Sequence, residues 1–129
     1  MQILIFAGTT EGRQLSAMLD ERHITHTVSV VSEYGSELIS KSQYTEILTG
    51  RMDADSMKVM LAQRGFTTND TVVDATHPYA EEVSRNIREA VAETGCEYIR
   101  VARNGAAGPD TDDTGRRIGM IHWLHVQMR

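Results

Sequence analysis

Short apolar runs at residues 3–7, 27–31, 44–48, 71–74 and 98–101 alternate with stretches of helical periodicity, and no hairpin signal joins any two of them. Strands separated by a helix need a crossover connection, and crossovers join parallel strands. The expected architecture is therefore α/β: a Rossmann-like, doubly wound parallel sheet of about five strands with helices on both faces and right-handed crossovers.

The first run, Ile3 to Ala7, is continuously apolar and ends at Gly8, as a parallel strand covered on both faces should. Thr9 or Thr10 can cap a helix over Glu11 to Arg22, with Leu15, Met18 and Leu19 facing the sheet and Glu11 in the first turn, where the helix dipole favours a carboxylate. Thr27 to Val31 is a β-branched second strand, broken by Ser32-Glu33-Tyr34-Gly35 before a short helix through Ile39. Tyr44 to Leu48 is a weaker third strand ending at Gly50, and Asp53 to Arg64 a helix with Met57, Met60 and Leu61 inward and Gly65 as its stop. After the strand from Thr71 to Asp74, Pro78 suits the first turn of a helix whose inner face is Val83, Ile87, Ala90 and Val91 and which stops at Gly95. Tyr98 to Val101 is the fifth strand. Residues 1–103 thus read as one dinucleotide-binding type of domain, 104–117 as a Gly, Asp and Thr-rich linker, and 118–129 as either a sixth strand or a frayed tail.

The balance of 13 basic and 18 acidic residues, with no Lys/Arg run interleaved with aromatics, disfavours nucleic acid as a partner. An anionic small molecule remains compatible, because a local arginine cluster can oppose the net charge. The N-terminal segment has no basic leader and only a short apolar run, so neither a membrane span nor a signal peptide is expected and the cytoplasm is the default location. Cys96, the single cysteine, reads as a small buried hydrophobe near a strand start. His122 and His125 have an H-x-x-H spacing but no further ligands clustered with them, so no metal site is expected.

In a parallel sheet the carboxyl ends of the strands share one edge, and that edge holds ligands. Four of these ends carry polar or glycine-rich punctuation. At Gly8-Thr9-Thr10-Glu11-Gly12-Arg13 a tight turn and a helix N-terminus offer an anion site, although the sequence is not a strict G-x-G-x-x-G and the same pattern serves a plain turn. Ser32-Glu33-Tyr34-Gly35 lies roughly 25 residues after Gly8, where dinucleotide folds read the adenosine ribose. Glu33 could accept from ribose hydroxyls, Ser32 with a nearby Arg could hold a 2′-phosphate, or Glu33 could be a helix-start acid. Gly50-Arg51 could clamp a phosphate or carboxylate, or Arg51 could be an ordinary surface arginine. Finally, Asp74-Ala75-Thr76-His77-Pro78-Tyr79-Ala80 breaks an apolar run into polar residues. His77 there is a candidate proton donor or a structural partner, and Asp74 should tie the loop together through backbone N–H groups.

In this order and spacing the four segments, the third extended as Gly50-Arg51-Met52-Asp53, resemble the precorrin-6A reductases of cobalamin (vitamin B12) biosynthesis. Ser84-Arg85-Asn86 continues the similarity, which covers about residues 2–103. The resemblance implies hydride transfer from NADPH or NADH to a ring double bond of precorrin-6A or its cobalt form. By the same resemblance Gly8, Thr9, Thr10, Glu11 and Arg13 would hold the cofactor pyrophosphate, Ser32, Tyr34 and Gly35 its adenosine side, and Gly50 and Arg51 a second flank. Ala75, Thr76 and His77 would line the nicotinamide end, with His77 the one candidate catalytic group. Tyr79 would face the tetrapyrrole, and Arg51, Arg85 and Arg103 are candidate partners for its carboxylates.

Two departures from the family accompany the resemblance. Ala7 stands where the family usually has a further glycine. Family members also have a second α/β half that closes over the substrate, whereas this chain stops at Arg129 and loses the resemblance after Arg103. Three expectations follow: a reductase or the cofactor-binding half of one, for which a separate chain could supply the missing half; a truncated nucleotide-binding module without catalytic activity of its own; or a non-functional fragment whose five strands still build a core.

Overall fold

Ile3–Ala7 (β1) is buried at every position and occupies the centre of a five-stranded sheet, as its unbroken apolar run requires. The structure, a computed structural model, describes residues 1–101. Arg103, the linker at 104–117, the candidate strand from Ile118 and the His122/His125 pair lie outside the described residues.

From β1 the chain forms α1 (Thr10–Glu21), β2 (His26–Val30), α2 (Glu33–Glu37), β3 (Thr45–Thr49), α3 (Ala54–Gln63), β4 (Thr71–Ala75), α4 (Glu81–Thr94) and β5 (Glu97–Arg100). The spatial order is β3-β2-β1-β4-β5, and every pairing is parallel. The chain winds outward from β1 to β3, then crosses back and winds the other way through β4 and β5. Crossovers of one hand travelling in opposite directions place their helices on opposite faces. Leu15 and Leu19 of α1 accordingly pack with Ile3, Ile5, Val28 and Val73, while Met57 and Leu61 of α3 and Ile87, Ala90 and Val91 of α4 pack with Leu4, Phe6 and Val72. The doubly wound expectation holds.

Local chemistry sets the helix ends. Thr9 caps α1 from extended backbone, its hydroxyl accepting from the Gly12 N–H, and Asp53 caps α3 by accepting from the Ser56 N–H at 2.8 Å. Gly95 ends α4 in the left-handed conformation, at φ 74°, with its N–H donating to the Val91 carbonyl. Lys58 on α3 reaches Glu89 and Glu93 on α4 at 2.9 and 3.0 Å and pins the two helices together.

Two expectations need correcting. Pro78 is not in the first turn of α4, which begins at Glu81. It follows His77 in a turn closed by the Ala80 N–H donating to the His77 carbonyl at 2.9 Å, where the fixed φ of proline suits the second position. Ser32-Glu33-Tyr34-Gly35 is likewise not a break before a helix but the cap and first turn of α2, since Ser32 accepts from the Gly35 N–H at 3.1 Å.

Candidate functional site

The winding direction reverses between β1 and β4, so the crevice outside their carboxyl ends is the switch point of the sheet. The two strand ends are stitched together there. The Gly8 N–H donates to the Ala75 carbonyl at 3.1 Å, and the Thr9 hydroxyl donates to the same oxygen at 2.9 Å. Thr9 has thereby given its hydroxyl hydrogen to the frame, whereas the Thr10 oxygen accepts from Arg13 Nη2 at 3.0 Å and keeps its own hydrogen for a ligand.

Gly12 brings the first turn of α1 down onto these ends. A Cβ at this position would lie 3.0 Å from the Ala7 Cβ and 3.1 Å from the Ala75 Cβ, so a side chain there would lift the helix. The positive end of a twelve-residue helix therefore opens directly onto the crevice.

Beside it a cleft runs over the carboxyl ends of β1, β2 and β3, lined by Phe6, Ala7, Val31, Gly50, Arg51, Met52, Thr76 and Val83 among others. It brings Gly50, Arg51 and Thr76 together. Gly50 holds φ at 132°, a conformation that other residues rarely adopt, and a Cβ there would meet nothing within 4 Å, so it is backbone conformation rather than crowding that calls for glycine. The cleft encloses only about 40 Å³, so it forms an apolar floor at the strand ends and is not by itself a pocket for a whole dinucleotide. Tyr34, on α2, is 71% exposed and is not among the residues lining the cleft.

Beyond Thr76 the loop carries His77, Pro78 and Tyr79, all exposed. The Tyr79 N–H donates to His77 Nδ1 at 3.1 Å, which leaves the proton of the neutral imidazole on Nε2, away from that bond. The His77 and Tyr79 rings lie 5.2 Å apart.

The loop is held from below by a carboxylate with no solvent exposure. Asp74 Oδ1 accepts from the Thr76 N–H at 3.1 Å, from the Thr76 hydroxyl at 2.7 Å and from Arg100 Nη1 at 2.9 Å, while Oδ2 accepts from the Tyr98 hydroxyl at 2.6 Å. Arg100 Nη1 also lies 3.1 Å from both the Thr76 carbonyl and the Thr76 hydroxyl oxygen. Burial pushes the Asp74 carboxyl up, but hydrogen bonds from Ser84, Tyr98 and Thr76 outweigh it and hold the group below its ordinary value. Desolvation and the neighbouring Asp74 charge push the Tyr98 phenol up to about 12.

The expected loop-tying role of Asp74 is thus met, with more partners than backbone N–H groups alone. Sequence reasoning passes over Tyr98, Arg100 and Arg88. A signal did exist, since Tyr98 and Arg100 are two apart on a strand and so share a face. Their meeting with Asp74 depends on the β4–β5 register, in which Asp74 pairs with Arg100. Arg85 lies outside the cleft, on the α4 side of this loop, with Arg88, Tyr98 and Arg100. Among the described residues no group of three or more His, Cys, Asp or Glu could hold a metal, and no helix is long and apolar enough to cross a membrane.

Residues 2–121 match the sequence profile of the family described as precorrin-6x reductase CbiJ/CobK. A cobalt-precorrin-6A reductase of Methanothermobacter thermautotrophicus is 31% identical over 104 residues, which are 80% of this chain and 33% of that protein. One from Priestia megaterium is 31% identical over 105 residues, 81% of this chain and 40% of its own length. Among solved structures, a CobK precorrin-6A reductase superposes with a TM-score of 0.66 at 26% identity, over 80% of this chain and 39% of that one. The chain therefore spans a third to two fifths of the length of these relatives.

Proposed function

Because the chain belongs to the precorrin-6x reductase family, we propose that residues 1–103 form the cofactor-binding part of a reductase that transfers hydride from NADPH or NADH to a ring double bond of precorrin-6A or its cobalt form, in the cytoplasm. The observation that carries the reading is the junction of β1 and β4, where Gly12 seats the N-terminus of α1 against the two strand ends beside the cleft over Gly50, Arg51 and Thr76. In this reading the first turn of α1, with Thr10 and Arg13, takes the pyrophosphate, and the nucleoside arms lie over the strand ends on either side of it.

A bound reduced nicotinamide supplies the hydride. The chain's own residues set the geometry. Thr76 is fixed by Asp74 and Arg100, so the backbone from Ala75 to His77 forms a rigid wall against which the reactive ring can be held. Phe6, Met52 and Val83 exclude water from that wall. Saturating a carbon–carbon double bond takes a proton as well as a hydride; His77 can give one from Nε2 only as imidazolium, when Nδ1 also carries a hydrogen and the bond from the Tyr79 N–H is released. Tyr79, 87% exposed, offers an apolar ring to the flat face of a macrocycle.

The test is titration of the purified chain with NADPH and NADH, followed by addition of the tetrapyrrole while nicotinamide absorbance is followed. Saturable binding with substrate-dependent oxidation supports the reductase, and absence of binding refutes it. A second reading is a nucleotide-binding module without catalytic activity of its own. It predicts binding without turnover.

A further inference from the structure

A groove of about 500 Å³ lies on the other side of the 76–80 loop from the cofactor cleft, between the N-terminal half of α4 and β5. Arg85 and Arg88 form one wall, Tyr98 and Arg100 the floor, and Pro78 and Glu81 the rim. Arg85 and Arg88 are three apart on α4, so they project from the same face. Both are exposed, and among the described residues neither has a carboxylate partner. Arg88 lines the groove beside Tyr98, whose hydroxyl donates to Asp74 Oδ2 at 2.6 Å. Arg100 is committed to Asp74 and Thr76 and belongs to the floor.

We propose that this groove is a binding site for a multiply carboxylated ligand, with Arg85 and Arg88 as its ligand-facing cations; assignment of those carboxylates to the reductase's tetrapyrrole rests on the function proposed above. The charge argument is local. Asp74 offsets Arg100 and Glu81 offsets one wall arginine, which leaves an excess positive charge in a chain whose net charge is −5. Two forked guanidiniums suit two carboxylates, and the volume lies in the range of small-molecule sites. Position separates the ligand from the cofactor. The groove is bordered by Pro78 and Ser84 and the cleft by Thr76 and Val83, so only one loop and the first turn of α4 lie between them. An anion held there sits beside Pro78 and Ser84, whereas the first turn of α1 opens on the β1–β4 crevice.

Uroporphyrin, a carboxylate-armed tetrapyrrole, is a fluorescent probe for the site, with citrate and inorganic phosphate as competitors. The full chain should bind it saturably, citrate should displace it and phosphate should not. In R85Q/R88Q, which removes both charges and leaves polar, helix-compatible side chains on an exposed helix face, affinity should fall about tenfold or more, with an intermediate loss in R85K/R88K, where charge remains and the fork is lost. NADPH affinity should be the same in all three proteins. No binding to the unaltered chain, equal affinity in R85Q/R88Q, displacement by phosphate, or a parallel loss of NADPH affinity would each overturn the proposal. Arginine-dependent uroporphyrin binding in a chain that fails to bind NADPH would uphold the groove and refute the cofactor reading.

Discussion

Replacing Asp74 by Asn should damage this protein more than any other isosteric change in the described fold. The amide still accepts from Thr76, and the Tyr98 hydroxyl can rotate to accept instead of donate, so the loss centres on Arg100. Its guanidinium would keep its place beside Thr76 and lose the buried carboxylate it pairs with there. Leaving one member of a buried pair unneutralised costs about 3–5 kcal/mol. The Arg100 side chain retains 25% exposure, which places the expected cost near the lower end, about 3 kcal/mol. For a domain of this size that lowers the melting temperature by on the order of 10 °C. Urea and thermal unfolding at pH 7, followed by circular dichroism, measure both quantities. The double variant D74N/R100Q should be less destabilised than the sum of its single changes, because the two side chains form one buried pair. Acid sharpens the test. The folded-state value of Asp74 is lowered relative to about 3.9 in the unfolded chain. Its stabilisation is therefore complete above that unfolded value and is lost as pH falls through the folded one. The gap between wild type and D74N should be widest near neutrality and close as pH drops below about 4. A D74N protein within about 0.5 kcal/mol of wild type at pH 7, or a gap that widens in acid, would refute the buried-pair account.

Further consequences concern the same crevice. G12V should cost about 1–3 kcal/mol by overpacking against Ala7 and Ala75 and should weaken nicotinamide binding, while G12A should cost less because helix propensity offsets part of the clash; melts and titrations of both variants check this. T9A removes both the cap on Gly12 and the bond to the Ala75 carbonyl, an expected loss of about 1–2 kcal/mol that chemical denaturation can read. Burial pushes the Cys96 thiol up, and the side chain is 6% exposed, so labelling by a thiol reagent at neutral pH should be slow in the folded chain and accelerate with denaturant. Rapid labelling of native protein would contradict that packing.

The strand and helix alternation was legible because a parallel sheet leaves a plain mark. β1 and β4 are buried at every residue, and a strand covered on both faces reads as an unbroken apolar run. The edge strand β3 has no fully buried residue, and its bounds differ by one residue from those its pattern suggests. Pro78 misled because proline suits both a helix's first turn and the second position of a β-turn, and only the hydrogen bond between Ala80 and His77 separates the two. The glycines beside the strand ends were legible because Gly12 and Gly50 meet local demands, one of space and one of backbone conformation. The Asp74, Tyr98 and Arg100 cluster was not, because it joins residues 24 and 26 positions apart through strand register, and no local pattern encodes register.

The β1–β4 junction as the seat of a nicotinamide dinucleotide is tested most directly by amide chemical shifts of the isotopically labelled chain during NADPH titration. Saturable shifts should concentrate at residues 8–13, 32–35, 50–51 and 75–77, with the α4 arginine groove little affected. Absence of saturable shifts, or shifts confined to Arg85, Arg88 and their neighbours, would contradict it.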